Sequence, residues 1–490
     1  MNEIIAYLMF AATLIFFGYI GFKSSLGNSI SSDDYLSARG TQSSTQVALT
    51  LFASGMGVWI LFGPSEVAYY GGFWDVLGYA LSASTPFLLL AYVGPKIREE
   101  LPDGVTLADY AKSRTGRPMQ LYIGIISILY MFTFLFAEFT AIGKAMEALS
   151  GMEPLIPMVA VGLVTASYTA YGGLPASLGT DKVQAWVIIT LILSLLLFIF
   201  GGDISSLWVD AKAYGPSDDW SIGSMSYMGS FESGLALVLA ITAAEMFSQG
   251  NWQRVWSSED EKAAKNGALL AALLVFPLVF VMGIMGTVAA GQGGVPDPSA
   301  AFFYLIQDTN EIFIATFIIL ATALVCSSID TLQNAIVASV SRDISDGNLD
   351  VNQAKIITIA MIPIAIYLAT GPTIAGFTFN ARSVFGIFLF ADIIAAATVA
   401  PILLTLWSKI SSKGAFIGAI SGILSIIVYG FIDSPSGYEG ASQYFRYVIY
   451  PTIESVPASQ GGLTNLWPFA SALIGSSVVT VLSSYAFPDE

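Results

Sequence analysis

The sequence predicts an all-α polytopic membrane protein of 13 transmembrane helices, organised as two groups of five with opposite orientations. Three observations predict it. Hydrophobic residues fill 55% of the 490 positions and charged residues only 11%, whereas soluble domains carry about 25% charged residues. Apolar runs of roughly 20 residues, the length that crosses a bilayer core, recur along the whole chain. Those runs divide into one, five, five and two. A group with an odd number of spans, when repeated, enters the membrane from the other side. That is the arithmetic of an inverted repeat, whose binding sites form near the midplane between discontinuous helices.

The first run, 3–22, precedes the repeats. The first group of five covers 47–201, with spans near 47–71, 75–96, 118–147, 154–172 and 182–201. The second covers 231–407, with spans near 231–249, 266–290, 310–338, 354–371 and 383–407. Two further spans, 414–432 and 465–487, complete a range of 414–487. The longest polar connections, near 203–230 and 433–463, leave no room for a sizeable soluble domain, so 1–490 reads as one transmembrane domain.

With the N-terminus outside, 15 lysines and arginines, Arg254 among them, fall on cytoplasmic connections. Only Lys144, Lys212, Arg382 and Arg446 fall on the other side. The excess of basic residues on cytoplasmic loops therefore sets the N-terminus outside and the C-terminus in the cytoplasm of a plasma (inner) membrane protein. The opening "MNEIIAYLMF" lacks a basic n-region and a small-residue cleavage site, so no signal peptide is expected.

Composition also excludes chemistry. A single cysteine, Cys326, rules out an internal disulfide and a cysteine-built metal centre. The lack of histidine points away from zinc and haem ligation and from histidine pH sensing. A net charge of −16 has no nucleic-acid reading and implies acidic surfaces facing water. The partners expected are the lipid bilayer and a small solute; the sequence names no protein partner.

The second span holds the stretch "ASGMGVWILFGPSEVAYYGG", residues 53–72, which places glycines, a proline and a glutamate in an apolar run. Glycine eases unwinding and Pro64 lacks an N–H, so carbonyls around Ala53–Gly57 can leave the helical ladder. Freed carbonyls at membrane depth are tolerated where they line a cavity or hold a ligand, and a hard monovalent cation is such a ligand. Close helix packing through small residues explains the glycines equally well. The ninth span adds "CSSIDTLQNAIVASVSRDI". There Ser327, Asp330 and Thr331 share one helix face. Hydroxyls can bond back onto their own helix, but a carboxylate inside a span is costly and usually functional.

These stretches, with "TAYGGLPASLGTDKVQ" before the sixth span and "NWQRVWSSEDEKAAKNG" after the seventh, resemble the sodium/solute symporter family. Its members carry proline, sugars, sialic acid, pantothenate, choline or urea. The resemblance covers nearly the whole chain in the same order of spans. It implies the five-plus-five inverted-repeat fold first seen in a bacterial leucine transporter, with broken second and seventh spans. It also implies Na+ as the coupling ion and no chemistry performed on the solute. Matched position by position, a first sodium takes the carbonyls of Ala53, Met56 and Leu324 and the hydroxyls of Ser327 and Ser328, all oxygens, as a hard cation prefers. Some members hold a second sodium, which corresponds here to Asp181, Ser327, Asp330 and Thr331. Asp330 replaces a hydroxyl residue of those members, and Asp181, beside Lys182, also reads as an interfacial residue hydrated by the cytoplasm.

For the solute, the resemblance points to Trp59 and Glu66 of the second span, Tyr79 of the third, and Thr242 and Glu245 of the seventh. Glu245 stands where sugar-carrying members place an aromatic gate residue. Glu66, Glu138 and Glu245 have no obvious basic partner in the sequence. A cationic or amine-bearing solute held by carboxylates and the Trp59 face is one reading. The other is that they are neutral hydrogen-bond donors, which suits Glu138 best, or lie near outer water, as for Glu66. The expected activity is sodium-driven import of a small polar solute by alternating access. A proton-coupled or uncoupled carrier titrating at Asp330 or Asp181 keeps the same fold, and a membrane sensor is a further alternative. The cluster 257–267 reads as a solvated helix start.

Overall fold

The computed structural model describes residues 3–25, 31–200, 228–307, 310–374, 377–378, 383–433 and 464–489. Nearly all of it is helix, because lipid offers backbone groups no partners and helices satisfy them internally. The chain begins with α1 (Glu3–Ser25) and a short α2 (Ser32–Ser37). The second predicted span is broken into α3 (Ser44–Gly55), a 3₁₀ turn (Val58–Leu61) and α4 (Gly63–Gly71). There follow α5 (Phe73–Glu100), α6 (Leu107–Thr115), α7 (Arg117–Ser150) and α8 (Leu155–Phe200). The seventh predicted span is broken into α9 (Met228–Glu245) and α10 (Gln249–Ser257). The rest is α11 (Glu261–Gln292), α12 (Ala301–Ile306), α13 (Glu311–Ser339), α14 (Val351–Ala369), α15 (Val384–Leu404), α16 (Ser412–Asp433) and α17 (Leu466–Ala486). A two-residue antiparallel ladder, β1 (Thr373–Ile374) with β2 (Phe377–Thr378), lies between α14 and α15.

Among the described residues ten helices are long and apolar enough to span a membrane, or twelve when each bent pair is one span. The bends measure 59° between α3 and the segment from Val58 to Gly71, and 58° between α9 and α10. This matches the expectation of broken second and seventh spans. The fold is the leucine-transporter-like five-plus-five arrangement. α8 is 46 residues long and non-helical at Gly173, with φ 59° and ψ −148°. That φ suits glycine, and a Cβ there would also strike the backbone and ring of Tyr35. At 1.5 Å per residue α8 runs about 69 Å, roughly twice the hydrocarbon core.

Burial separates an inner set of helices from an outer one. The apolar stretches of α13 and α15 are 72% and 76% buried, whereas those of α14, α16 and α17 are 28%, 33% and 33% buried. The outer helices expose Leu8, Ile359, Leu424 and Leu482 among many large apolar side chains. An apolar exterior on this scale is a surface for lipid. α13 packs against α7, α8 and α3, which brings both breaks to its middle.

One expectation changes. Arg254, counted among water-facing basic residues, has no exposed surface and sits inside the protein. Without it the basic residues divide 14 to 4, and of the four Lys212, Arg382 and Arg446 lie outside the described residues, as do the long connections over 203–227 and 434–463. The solvated start near 257–267 is present as expected: Glu259 to Lys262 are exposed, and the Asp260 carboxylate caps α11 by accepting from Ala263 N–H at 2.6 Å.

Candidate functional site

The first break is held open from outside its own helix. Helical bonding ends at Met56, whose N–H is shared between the carbonyls of Phe52 (3.1 Å) and Ala53 (3.2 Å). The next free donor, Val58 N–H, goes to Glu138 Oε2 of α7 at 2.9 Å. Gly57 allows this approach, since a Cβ there would collide with the Glu138 carboxylate and the Trp59 ring. Pro64 falls in the first turn of α4, where a missing N–H costs nothing. Glu138 thus caps the break as an acceptor through Oε2, a role that a neutral carboxyl also fills through its carbonyl oxygen.

The second break closes on itself. The residues between α9 and α10 include neither glycine nor proline. Instead the Asn251 amide donates to the Glu245 carbonyl (3.2 Å) and to Glu245 Oε2 (3.0 Å), and the Trp252 indole donates to the Met246 carbonyl (2.7 Å). The Asn251 amide thus adds to the Ser248 N–H that already donates to the Glu245 carbonyl (3.1 Å), while the Trp252 indole takes the Met246 carbonyl at the helix end.

Between the breaks runs α13. Ala53, Met56 and Leu324, expected to offer carbonyls to a first sodium, are buried, with Ser327 and Ser328 on the helix packed against α3. The Ser327 hydroxyl donates to Asp181 Oδ1 at 2.6 Å. With its proton directed there, its oxygen lone pairs remain to accept a cation. The C-terminal end of α3 brings the partial negative charge of a helix end to the same level.

The residues matched to a second sodium form a dense polar network. Asp181 is fully buried, which excludes the hydrated interfacial reading, and its Oδ2 pairs with Arg254 Nη2 at 2.6 Å. The same Nη2 donates to Thr331 Oγ1 at 2.7 Å, and Nη1 donates to the Gly250 carbonyl at 3.0 Å. Asp330 accepts hydroxyl bonds from Tyr168 (2.6 Å), Ser177 (2.7 Å) and Thr180 (3.0 Å). The kink at Gly173 delivers Ser177, Thr180 and Asp181, one face of α8, to α13. A guanidinium thus stands beside two of the four residues matched to that ion.

Both breaks open on a narrow cavity of about 20 Å³ lined by Ser54, Gly55, Trp59, Tyr130, Phe134, Glu245, Ser248, Asn251, Ser328, Thr331 and Leu332. That is room for a water-sized occupant. Trp59, Glu245, Ser328 and Thr331, expected at three separate sites, line this one cavity together. Tyr79 stands behind Trp59, stacked at 5.8 Å between ring centroids. Thr242 and Glu66 do not line the cavity: Thr242 bonds to Thr85 of α5, and Glu66 is buried in the first turn of α4. Tyr130, Phe134, Asn251 and Arg254 escaped the sequence reading. Tyr130 donates its hydroxyl to Glu245 Oε1 at 3.0 Å. Arg254 had a signal, an arginine between two tryptophans in "NWQRVW", but proximity to a charged loop masked it.

Comparison with known proteins agrees with this geometry. The model of the sodium:solute symporter family matches residues 35–422. A spermidine transporter of Candida albicans is 28% identical over 448 residues, covering 90% of this chain and 82% of the relative. A sodium/proline symporter of Staphylococcus aureus is 23% identical over 463 residues, covering 86% and 85%. In structure the chain is similar to a Na+-coupled sialic acid symporter in a substrate-bound outward-open state, with TM-score 0.73, 15% identity and coverage of 99% and 98%. It is also similar to a nucleobase-cation-symport-1 family transporter in a closed conformation, with TM-score 0.54, 13% identity and coverage of 94% and 97%. The chain belongs to the sodium:solute symporter family: it is a multi-pass membrane transporter and not an enzyme.

Proposed function

We propose that the protein imports a small polar, amine-bearing solute together with sodium by alternating access. The observation that carries this reading is Glu245. Its carboxylate accepts from Tyr130 and Asn251 and joins no ion pair among the described residues, yet it lies on an aromatic cavity wall between both broken helices. A carboxylate beside the Trp59 face suits an ammonium group. The C. albicans relative, named for spermidine, supports the same chemistry.

Sodium is read at the first set, the carbonyls of Ala53, Met56 and Leu324 with the hydroxyls of Ser327 and Ser328. Supporting it are the helix end of α3, the orientation of the Ser327 hydroxyl and the sodium-coupled relatives. Sodium there would bridge α3 to α13 and complete the solute cavity, on which Ser328 also lies. Solute would then tighten sodium binding by the same factor that sodium tightens solute binding. At the deeper set, Asp181, Ser327, Asp330 and Thr331, Arg254 already supplies a positive charge, so the reading is one sodium in this state, with a second only when Arg254 withdraws. The chain is read as one transporter domain of 13 crossings, with α8 crossing twice, the N-terminus outside and the C-terminus in the cytoplasm.

Thermal unfolding of the purified protein in sodium against potassium, at equal ionic strength, tests the reading with a panel of amines, proline, sugars and carboxylates. A ligand that binds only the folded state raises the melting temperature. The expected outcome is stabilisation by sodium, enhanced by an amine only in sodium, and lost in Ser328→Ala. Equal melting in the two salts at millimolar concentrations would overturn the coupling, and enhancement by a sugar or carboxylate alone would overturn the solute class.

A further inference from the structure

α15 is apolar apart from Thr398 and Asp392, the latter the only charged side chain between Val384 and Leu404. Asp392 is 2% exposed, and its Oδ1 has no hydrogen-bond partner among the described residues. None of the ion pairs among those residues includes it. A buried acidic oxygen without a donor is expensive, and an ionisable group inside a span is usually retained for function.

Its position on the helix says where it is aimed. Phe385, Phe388 and Asp392 stand at i, i+3 and i+7, one face of α15. The Phe388 ring lies 4.3 Å from Phe134 and 6.3 Å from Trp59, centroid to centroid, and both of those rings line the solute cavity. Asp392 follows Phe388 by one turn on that face. Tyr130 precedes Phe134 by one turn on α7, is within electrostatic reach of Asp392, and donates its hydroxyl to Glu245. Asp392 and Glu245 are themselves within electrostatic reach of each other. Two carboxylates so placed, Asp392 buried and Glu245 half-buried on the cavity wall, with neither in an ion pair among the described residues, repel unless positive charge enters. One ammonium group answers one of them; a molecule with two answers both.

Resting on the amine-bearing reading of the solute, we propose that Glu245 and Asp392 form a two-carboxylate clamp that selects a diamine or longer polyamine over a monoamine. In a state where the water-sized cavity widens past Phe388 to Asp392, the methylene chain would lie against the Trp59, Phe134 and Phe388 rings, and Asp392 would hold the second ammonium.

The test is equilibrium binding of 1,4-diaminobutane and n-butylamine, each in sodium, to the wild-type protein and to Asp392→Asn, Asp392→Glu and Glu245→Gln. In the wild type the diamine is expected to bind at least about tenfold more tightly than the monoamine. Asp392→Asn should abolish that preference while leaving monoamine binding within about twofold, and Asp392→Glu should restore part of it. Glu245→Gln should weaken both amines. Equal wild-type affinity for the two amines would overturn the clamp while leaving the amine reading intact. So would an Asp392→Asn variant weakened equally toward both, since that marks a structural acid. If neither amine binds the wild type, the amine reading falls and the clamp falls with it. Loss of melting cooperativity in Asp392→Asn transfers the decision to Asp392→Glu, in which retained diamine preference supports the clamp and its loss overturns it.

Discussion

The two broken helices reach the same cavity by opposite means. The first break is written in glycine and proline and relies on a carboxylate from another helix, Glu138, to hold Val58 N–H. The second has neither residue at its break, and its freed carbonyls are taken by Asn251 and Trp252 from its own next turn. The inner halves differ in the same sense. α10 is fastened to α8 and α13 by a built-in cation, Arg254, through Asp181 and Thr331. α3 packs against α13 with no ion pair between them among the described residues, and there the proposed fastener is a sodium that comes and goes. One side of α13 thus carries a fixed clamp, and the other, on the proposed reading, an exchangeable one. A carrier needs both, a part that stays and a part whose attachment depends on the ion.

Breaking the fixed clamp should have the largest effect. Removing one partner of a fully buried ion pair leaves an uncompensated charge and costs about 3–5 kcal/mol. Arg254→Ala is therefore expected to unfold at a much lower temperature than the wild type. Adding Asp181→Asn should cost less than the two single effects summed, because the pair fails as a unit. Arg254→Ala also frees Asp181, Ser327 and Thr331 to hold an exchangeable cation. Sodium should then recover part of the lost stability and potassium should not. Equal recovery in both salts would remove the deeper set as an ion site and leave the comparison resting on the first set alone.

The cap of the first break comes next. Glu138→Leu leaves a buried N–H without an acceptor, a loss of about 1–3 kcal/mol. Glu138→Gln keeps an amide oxygen for that donor and should lose less. If the cap shapes the sodium site, Glu138→Leu should also weaken sodium's effect on melting, whereas Glu138→Gln should retain most of it. Matched sodium responses in the two variants would mean that the first break needs no outside support.

The architecture was legible in the sequence because lipid imposes it: apolar run lengths give the helices, and "ASGMGVW" with Pro64 gives the first break. The second break was legible only through resemblance, since its sequence carries no glycine or proline at the bend and its stability comes from Asn251 and Trp252, which read as ordinary polar and aromatic residues. Trp59 and Glu245 were reached through the resemblance, and Glu245 also as an acid in a span without an obvious basic partner. Asp392 is equally conspicuous by the same rule, yet the apolar run around it drew attention to the span rather than to its exception. Arg254 was misplaced because linear nearness to Glu259, Asp260 and Glu261 looks like a loop. Only the fold turns it inward to Asp181, 73 positions away. Thr242 and Glu66 show the converse: the correct helices, but faces that turn to Thr85 and into the first turn of α4.

The smallest effect belongs to the self-closing break. Trp252 is fully buried and packs near Trp256, with ring centroids 6.0 Å apart. Trp252→Phe keeps an aromatic ring but removes the donor to Met246, a net hydrogen-bond loss of about 0.5–1.5 kcal/mol, plus the packing lost with the smaller ring. Asn251→Ala removes the donors to both the Glu245 carbonyl and its carboxylate. Its cost in stability should be of the same order. The two variants nevertheless differ in function: Asn251→Ala leaves the Glu245 carboxylate held by Tyr130 alone and should weaken amine binding, whereas Trp252→Phe leaves both of its partners in place and should change stability only. Because this break satisfies itself, neither substitution should alter the stabilisation by sodium alone. A sodium response that fell with either one would mean the two breaks communicate through α13, and the division into fixed and exchangeable sides would give way to a single coupled clamp.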